Sequence, residues 1–293
     1  MSGMPDNVRD AIAAMGPTFN PDVQMGTRNL YAPLVQQSPE IETAYDVPYG
    51  SNDRQKLDIY TPTRDGRRAV IVYIPGGGFN GGDKRGDEIF YGNLGRWFAR
   101  HNVITVIANY RLAPTFGWPA GAEDATSAMA WVWTNIAQYG GDPDRIFLFG
   151  QSAGATHAAT SLFHPKVRDA RNPPVAAILA SGVYDLRGGA WPPNVKGYFG
   201  TDAAKYEDRS PIVHIENCKI PLFLSVAEYD PVMLCAPTLD LAAAVTRRDG
   251  KAPRIYWQKG HNHVSTVLSF NTGGDAFGEA VLDFMRTSLK AKG

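Results

Sequence analysis

The sequence of 293 residues is poor in cysteine and has no long apolar run. Its two cysteines, Cys218 and Cys235, lack the density and spacing of a disulfide framework or a zinc site, so we expect two reduced thiols. No apolar run approaches the length of a membrane-spanning helix, and the first residues lack the apolar core of a signal peptide. These absences predict a soluble, cytoplasmic protein.

An excess of charge of either sign is also missing, because lysine plus arginine equals aspartate plus glutamate at 29 each. The sequence has no long basic run and no stripe of alternating basic and aromatic residues. We therefore expect neither nucleic acid nor an anionic membrane as a partner. No group of histidine, cysteine and carboxylate residues has the spacing of a metal site, so neither a metal ion nor an organic cofactor is predicted.

Strand-like and helix-like segments alternate along the chain, with no repeat and no linker between them. This order predicts a single α/β domain over residues 1–293, with a mostly parallel central sheet flanked by helices. Residues 57–60 alternate polar and apolar side chains, as an early antiparallel strand would. The other predicted strands are 69–74, 103–108, 146–149, 175–179, 222–226 and 254–258, and the predicted helices are 122–139, 153–163, 238–248 and 275–290.

Two segments interrupt the alternation: residues 1–40 precede the first predicted strand, and residues 186–215 lie between two predicted strands. The second segment is rich in glycine, proline and aromatic residues. Long insertions above the carboxyl ends of strands usually shape a pocket, so both segments are candidate lid or cap elements. Surface packing without contact to a substrate is the alternative for both.

The most informative stretch is Gly150-Gln151-Ser152-Ala153-Gly154, which follows an apolar run of strand length. A serine between two glycines at a strand-to-helix junction is typical of a nucleophile held on a sharp turn, where its hydroxyl projects towards a substrate. The flanking glycines let the two chain segments pass each other. The context therefore predicts Ser152 as a nucleophile in acyl transfer.

A nucleophilic serine needs a general base and an acid that orients the base. Glu228 and Asp230 follow the predicted strand at 222–226. We favour Asp230, because it lies further into the loop and precedes a proline, and keep Glu228 as the alternative acid. His261 and His263 follow the next predicted strand. The spacing does not separate them; we favour His263, at the helix-proximal end of the loop, and keep His261 as the alternative base.

The oxyanion that forms in acyl transfer needs backbone amides as hydrogen-bond donors. One is expected from Ala153, directly after the nucleophile, and others from the loop after the predicted strand at 69–74. That loop reads Pro75-Gly76-Gly77-Gly78-Phe79. Three consecutive glycines suit a place where amides crowd a ligand, so this loop is the candidate source of the other donors.

Together these motifs resemble those of the hormone-sensitive-lipase-like esterases and related carboxylesterases, which have the α/β-hydrolase fold. The resemblance covers about residues 55–290 and includes the glycine loop and Asn109-Tyr110-Arg111-Leu112-Ala113-Pro114. It implies a serine carboxylesterase that hydrolyses short- to medium-chain or aryl esters through an acyl-enzyme. It also implies the catalytic triad Ser152, Asp230 and His263 and the oxyanion donors Gly77, Gly78 and Ala153.

The resemblance leaves the leaving group open, because the family also contains amidases and arylformamidases. A non-catalytic binding protein on the same fold is the other alternative. Pro75 stands where these esterases usually have a histidine that helps to order the loop. Aromatic residues near the expected pocket favour apolar acyl or aryl groups. They are Phe79, Trp118, Trp191, Tyr198 and Phe199.

The oligomeric state depends on how the C-terminal helix packs. Residues 276–289 include several large apolar side chains, which would cover the sheet in a monomer. A homodimer through this end of the chain, or through an edge strand, is the alternative.

Overall fold

A computed structural model describes residues 3–63, 66–86 and 89–292. Within these residues one sheet runs in the order β1-β2-β4-β3-β5-β6-β7-β8 once its strands are numbered along the chain. The first two pairings in this order are antiparallel and the other five are parallel. The strands are β1 (Glu42–Pro48), β2 (Lys56–Thr61), β3 (Arg68–Ile74), β4 (Ile104–Ala108), β5 (Gly141–Gln151), β6 (Ala177–Ala180), β7 (Leu222–Tyr229) and β8 (Arg254–Asn262).

Helices cover both faces of this sheet, which confirms the predicted α/β class. Among the described residues, no helix is both long enough and apolar enough to cross a membrane. The helices are α1 (Asp6–Met15), α2 (Pro21–Tyr31), α3 (Gly92–Arg100), α4 (Ala120–Asn135), α5 (Ala153–Phe163), α6 (Pro193–Phe199), α7 (Tyr206–Arg209), α8 (Val232–Asp249), α9 (Ser265–Leu268) and α10 (Ala276–Lys292).

The core consists of two apolar layers, one on each face of the sheet. Leu148 of β5 packs in the layer that contains α4, α5 and α8, whereas Phe147 and Phe149 pack in the layer that contains α3 and α10. Successive side chains of a strand point to opposite faces, so a strand covered on both faces is apolar at every position. This burial explains why the inner strands could be recognised as short, uninterrupted apolar runs.

The structure differs from the sequence-based expectation mainly at the ends of elements. The predicted helix at 153–163 coincides with α5, but β5 is longer than the predicted strand at 146–149. Helix α8 begins before the predicted 238–248 and carries Pro237 in its interior. A proline usually ends a helix, so the sequence pointed to a later start. Strand β1 and helices α1, α2, α3, α6, α7 and α9 had no predicted counterpart.

The two candidate lid segments both form helices. Segment 1–40 contains α1 and α2, which pack through Val8, Ile12 and Tyr31 in an apolar cluster with Leu268 of α9. Segment 186–215 contains α6 and α7, and its apolar side chains join a separate cluster that includes Ala153. Both segments therefore adjoin elements that follow the carboxyl ends of strands, β8 for segment 1–40 and β5 for segment 186–215. Their function as lids stays a prediction.

The junction between β5 and α5 is a sharp turn at the candidate site. Ser152 has a φ of 56°, in the left-handed region that few residues with a Cβ adopt. A Cβ added to Gly154 would lie 2.0 Å from the carbonyl oxygen of Ile74, so α5 starts in direct contact with the end of β3. The turn thus depends on the absence of a side chain at residue 154.

Replacing Gly154 with alanine should lower the free energy of unfolding by about 1–3 kcal/mol, because the new methyl group meets backbone that cannot yield locally. Gly197 in α6 is the matched control, since a Cβ there meets nothing within 4 Å. Gly197→Ala should be neutral or stabilise the protein by up to about 1 kcal/mol. Urea unfolding of both variants makes the comparison; equal midpoints would contradict the packing described here.

Candidate active site

Three side chains form one hydrogen-bonded chain at the carboxyl edge of the sheet. Ser152 Oγ lies 2.9 Å from His263 Nε2, and His263 Nδ1 lies 2.8 Å from Asp230 Oδ1. A carboxylate only accepts hydrogen bonds, so Nδ1 carries the imidazole proton and Nε2 is free to accept one from the hydroxyl. The three residues follow β5, β8 and β7, whose ends meet at this edge.

The carboxylate of Asp230 is buried and is held by further donors. Its Oδ2 accepts hydrogen bonds from the backbone N–H of Ala227 at 2.6 Å and from the hydroxyl of Ser181 at 2.7 Å. These bonds compensate the loss of hydration and fix the direction in which Oδ1 faces His263. Ser181 was not predicted. Its only signal was its place just after the predicted strand at 175–179.

The alternative acid and the alternative base are occupied elsewhere. Glu228 Oε2 accepts a hydrogen bond from the backbone N–H of Gly260 at 2.7 Å. His261 Nδ1 lies 3.0 Å from Ser265 Oγ, and the imidazole is buried. Both side chains therefore hold the loop that carries His263, and the hydrogen-bonded chain at Ser152 is formed by Asp230 and His263 instead.

The same loop is tied to the N-terminal helices. The side chain of Asn262 donates a hydrogen bond of 2.8 Å to Thr27 Oγ1 in α2. Its carbonyl oxygen accepts from the backbone N–H groups of Val264 and Ser265 at 3.1 and 3.0 Å. Asn262 thus both shapes the turn around His263 and anchors it to α2. Sequence reasoning missed Thr27, because no local pattern links two residues so far apart in the chain.

Phe19, in the connection between α1 and α2, lies against the imidazole of His263. The two ring centroids are 4.9 Å apart and the rings are nearly perpendicular, an edge-to-face geometry. The Phe19 side chain nevertheless remains 44% exposed. The segment before the first strand therefore borders the candidate site directly, a contact that the sequence did not reveal.

The glycine loop lies beside Ser152. A Cβ added to Gly76 would be 3.1 Å from Ser152 Cβ, and Gly77 and Gly78 both have positive φ values, 145° and 60°. Within the described ranges, no protein group accepts a hydrogen bond from the amides of Gly77, Gly78 or Ala153. These three amides, named as oxyanion donors from the sequence, remain available to a ligand.

The loop is held in place from two sides, although it lacks the histidine expected at its start. The hydroxyl of Tyr110 donates to the carbonyl of Pro75 at 3.0 Å, and the side chain of Asn194 in α6 donates to the carbonyl of Gly78 at 3.0 Å. Part of the ordering therefore comes from the Asn-Tyr-Arg segment and part from segment 186–215.

The five aromatic residues proposed for the pocket belong to one apolar cluster, which also contains Ala153. Phe79 stacks on Tyr198 with ring centroids 5.0 Å apart, and Phe199 meets it edge-on at 5.3 Å. Trp191 donates from its indole N–H to the carbonyl of Leu186 at 2.8 Å. Four of these five aromatic side chains are therefore buried by packing within the cluster, and Trp118 is the one that is partly exposed.

A family model and individual relatives both match this chain to carboxylesterases. A model of the carboxylesterase family matches residues 27–187. Esterase LipQ of Mycobacterium tuberculosis is 31% identical over 261 residues, which cover 82% of this chain and 61% of that protein. A probable isoprenylcysteine alpha-carbonyl methylesterase of Oryza sativa subsp. japonica is 40% identical over 124 residues, which cover 42% of this chain and 28% of that protein. The chain therefore spans less than two thirds of either relative.

Solved structures agree on the fold. An arylesterase structure superposes with a TM-score of 0.71 at 19% sequence identity, over 98% of each chain. At this level of identity the likeness concerns the fold alone. With the strand order described above, it confirms the α/β-hydrolase fold expected from the motifs.

Burial makes His261 a pH-dependent contributor to stability. Desolvation lowers its pKa from 6.5 to about 4. Between about pH 6.5 and 4 the unfolded chain therefore protonates this imidazole, whereas in the folded protein it stays neutral. The neutral form thus contributes fully to the free energy of unfolding above about pH 6.5, and this contribution is lost as the pH falls towards about 4.

Between about pH 6.5 and 4, replacing His261 with glutamine should reduce the slope of the free energy of unfolding against pH by about 1.4 kcal/mol per pH unit. The reason is that one titrating group is removed. Urea unfolding at a series of pH values measures this slope. Met25→Gln, at an exposed residue that does not titrate, is the control and should keep the slope of the parent protein. Parallel curves for the parent protein and His261→Gln would contradict the burial argument.

Proposed function

Because the chain belongs to the carboxylesterase family, we propose that it hydrolyses carboxylic esters by way of an acyl-enzyme on Ser152. The observation that best supports this proposal is the continuous hydrogen-bonded chain from Ser152 through His263 to Asp230. A serine hydroxyl is a weak nucleophile unless a neighbouring base removes its proton. The arrangement supplies that base at hydrogen-bond distance and a buried carboxylate behind it.

In the proposed first step, His263 Nε2 takes the proton of Ser152 Oγ as the oxygen attacks the ester carbonyl carbon. Asp230 accepts the Nδ1–H bond throughout, keeps the imidazole in this tautomer and stabilises the imidazolium that forms. The imidazolium then gives its proton to the alkoxide leaving group. An ester bond to Ser152 remains, and the alcohol departs.

In the second step, His263 removes a proton from water, which attacks the acyl carbon. The proton then returns to Ser152 Oγ and the carboxylic acid leaves. Both steps pass through a tetrahedral oxyanion, for which the amides of Gly77, Gly78 and Ala153 are the proposed donors. Their availability supports this role, since an amide already bonded within the protein would contribute nothing.

Short- to medium-chain and aryl esters are the proposed substrate class. Ala153, the residue after Ser152, belongs to the same apolar cluster as Phe79, Tyr198 and Phe199, so these buried side chains make this side of the site apolar. An apolar wall favours alkyl and aryl groups over charged ones. Each turnover consumes one water molecule and releases one alcohol and one carboxylic acid, and the ester itself is the proposed partner.

The segment before the first strand is proposed to cover one side of the substrate. Phe19 lies edge-on against His263 and still exposes 44% of its side chain. An aromatic ring that packs against His263 and is still partly exposed can contact a bound acyl or alkoxy group. This contact would make the α1–α2 connection part of the site.

The first test is hydrolysis of p-nitrophenyl esters from acetate to decanoate by the parent protein and its variants. Ser152→Ala and His263→Ala should each lower kcat by about three to six powers of ten, because nucleophile and base act as one unit. His261→Ala, the matched histidine control, should keep kcat within about tenfold. A serine-directed fluorophosphonate should label the parent protein and leave Ser152→Ala unlabelled.

The outcome of this test also separates the alternatives. Turnover of amide or formamide analogues that depends on Ser152, without turnover of esters, would indicate an amidase. Failure of both hydrolysis and labelling in the folded parent protein would indicate a binding protein. Near-normal ester hydrolysis by Ser152→Ala would overturn the assignment of the nucleophile.

Phe19→Ala should raise KM for the longer and aryl esters several-fold while kcat for acetate changes little, because the ring is proposed to touch the substrate rather than the reacting atoms. Met25→Ala is the control. Met25 lies on α2 of the same segment and is 58% exposed. Steady-state kinetics across the ester series measures the effect; identical KM values for the two variants would contradict the contact.

A further inference from the structure

A second group of polar side chains lies at the opposite end of α5 from Ser152. His164 follows the last residue of α5, Asp208 lies in α7, and His214 lies in the short 3-10 helix after it. One ring nitrogen of each histidine and one carboxylate oxygen of Asp208 lie within 4.8 Å of one another. Two imidazoles and a carboxylate are a donor set that suits a divalent transition-metal ion.

The strongest sign of a missing ligand is the Nε2 atom of His164. The residue is 1% exposed, and within the described part of the chain this nitrogen has no hydrogen-bond partner. The nearest acceptor, Asp208 Oδ1, is 3.6 Å away, which is too far for a hydrogen bond. A buried polar nitrogen without a partner is costly, so its position calls for an explanation.

The separation of 3.6 Å between these two atoms suits a shared metal ion. Two ligands bound tetrahedrally to zinc at about 2.0–2.1 Å are roughly 3.4 Å apart, so the pair needs little adjustment. Asp208 is half-exposed and can turn towards the third ligand. Its other oxygen, Oδ2, faces Lys166 Nζ at 3.7 Å, which leaves Oδ1 for the ion.

The hydrogen bonding of His214 prepares its ring for coordination. His214 Nε2 donates to the backbone carbonyl of Asp208 at 2.7 Å, so Nδ1 keeps its lone pair in the neutral ring. Metal-binding histidines usually make such a bond from the nitrogen that does not bind the ion. His164 is less prepared, because its Nδ1 accepts a long bond of 3.3 Å from Lys166 N–H that coordination through Nε2 would give up.

We propose that His164, Asp208 and His214 form a binding site for a divalent transition-metal ion such as Zn²⁺. The site joins the C-terminal end of α5 to α7 and to the 3-10 helix that follows α7. Helix α7 lies within segment 186–215, and the 3-10 helix begins in it. An ion there would clamp the two together. Because the bond at His164 Nδ1 is lost on binding, we expect an affinity below that of a closed four-ligand zinc site. The sequence could not reveal the site, because its residues come from three separate elements.

The test is titration of metal-free protein with Zn²⁺ by isothermal calorimetry near neutral pH, together with thermal unfolding. The parent protein should bind one ion per chain, with a higher Tm in Zn²⁺. His214→Asn should weaken binding by about tenfold or more and abolish the increase in Tm. His101→Asn is the matched control, because His101 Nε2 also lies 3.6 Å from a carboxylate oxygen, that of Glu279, and no third ligand joins this pair among the described residues. It should bind as the parent does.

Asp208→Asn, at a half-exposed position, provides a second variant and should weaken Zn²⁺ binding as His214→Asn does. Mg²⁺, which prefers oxygen ligands, should not compete. No binding to the parent protein, or equal binding by both variants and the parent, would overturn the proposal. Binding that persists in His214→Asn but disappears in His263→Ala would also overturn it, since the ion would then belong to the candidate active site. None of these readouts depends on hydrolysis, so they are independent of the proposed function.

Discussion

The left-handed turn at Ser152 is the constraint on which the rest of the site depends. A φ of 56° at a residue with a Cβ persists only where the surroundings fix it, and here α5 presses against the end of β3 through Gly154. The same contact brings the glycine loop after β3 alongside Ser152, so the proposed nucleophile and the proposed oxyanion donors are positioned by one packing contact. Tyr110 and Asn194 then hold the loop in this position by donating hydrogen bonds to two of its carbonyl groups.

The burial of Asp230 imposes a second constraint, which explains the polar residues around it. A carboxylate removed from water needs several donors, and it finds them on Ser181, Ala227 and His263. These residues come from the ends of β6, β7 and β8, three neighbouring strands. Because these parallel strands end at the same edge of the sheet, they bring enough hydrogen-bond donors together to stabilise the buried carboxylate of Asp230.

The sequence predicted what is local in the chain. Patterns of a few residues were enough to identify Gly150 and Gly154 around Ser152, the apolar strands and the histidines after β8. The fold class followed from the order of strands and helices along the chain. What it missed depends on contacts between distant segments: Ser181 beside Asp230, Thr27 beside Asn262 and Phe19 beside His263. The choice between His261 and His263 was of the same kind, because only the packed loop distinguishes a ring bonded to Ser265 from one facing Ser152.

The contact between the N-terminal helices and the loop after β8 also bears on how the chain is made. Helix α1 buries Val8 and Ile12 in a cluster completed by Leu268, so its apolar stripe lacks that part of its cover until residue 268 has left the ribosome. During synthesis these side chains are open to chaperones and to wrong partners. A nascent chain that stops before β8 lacks both this cover and His263, so the hydrogen-bonded chain at Ser152 cannot form in it.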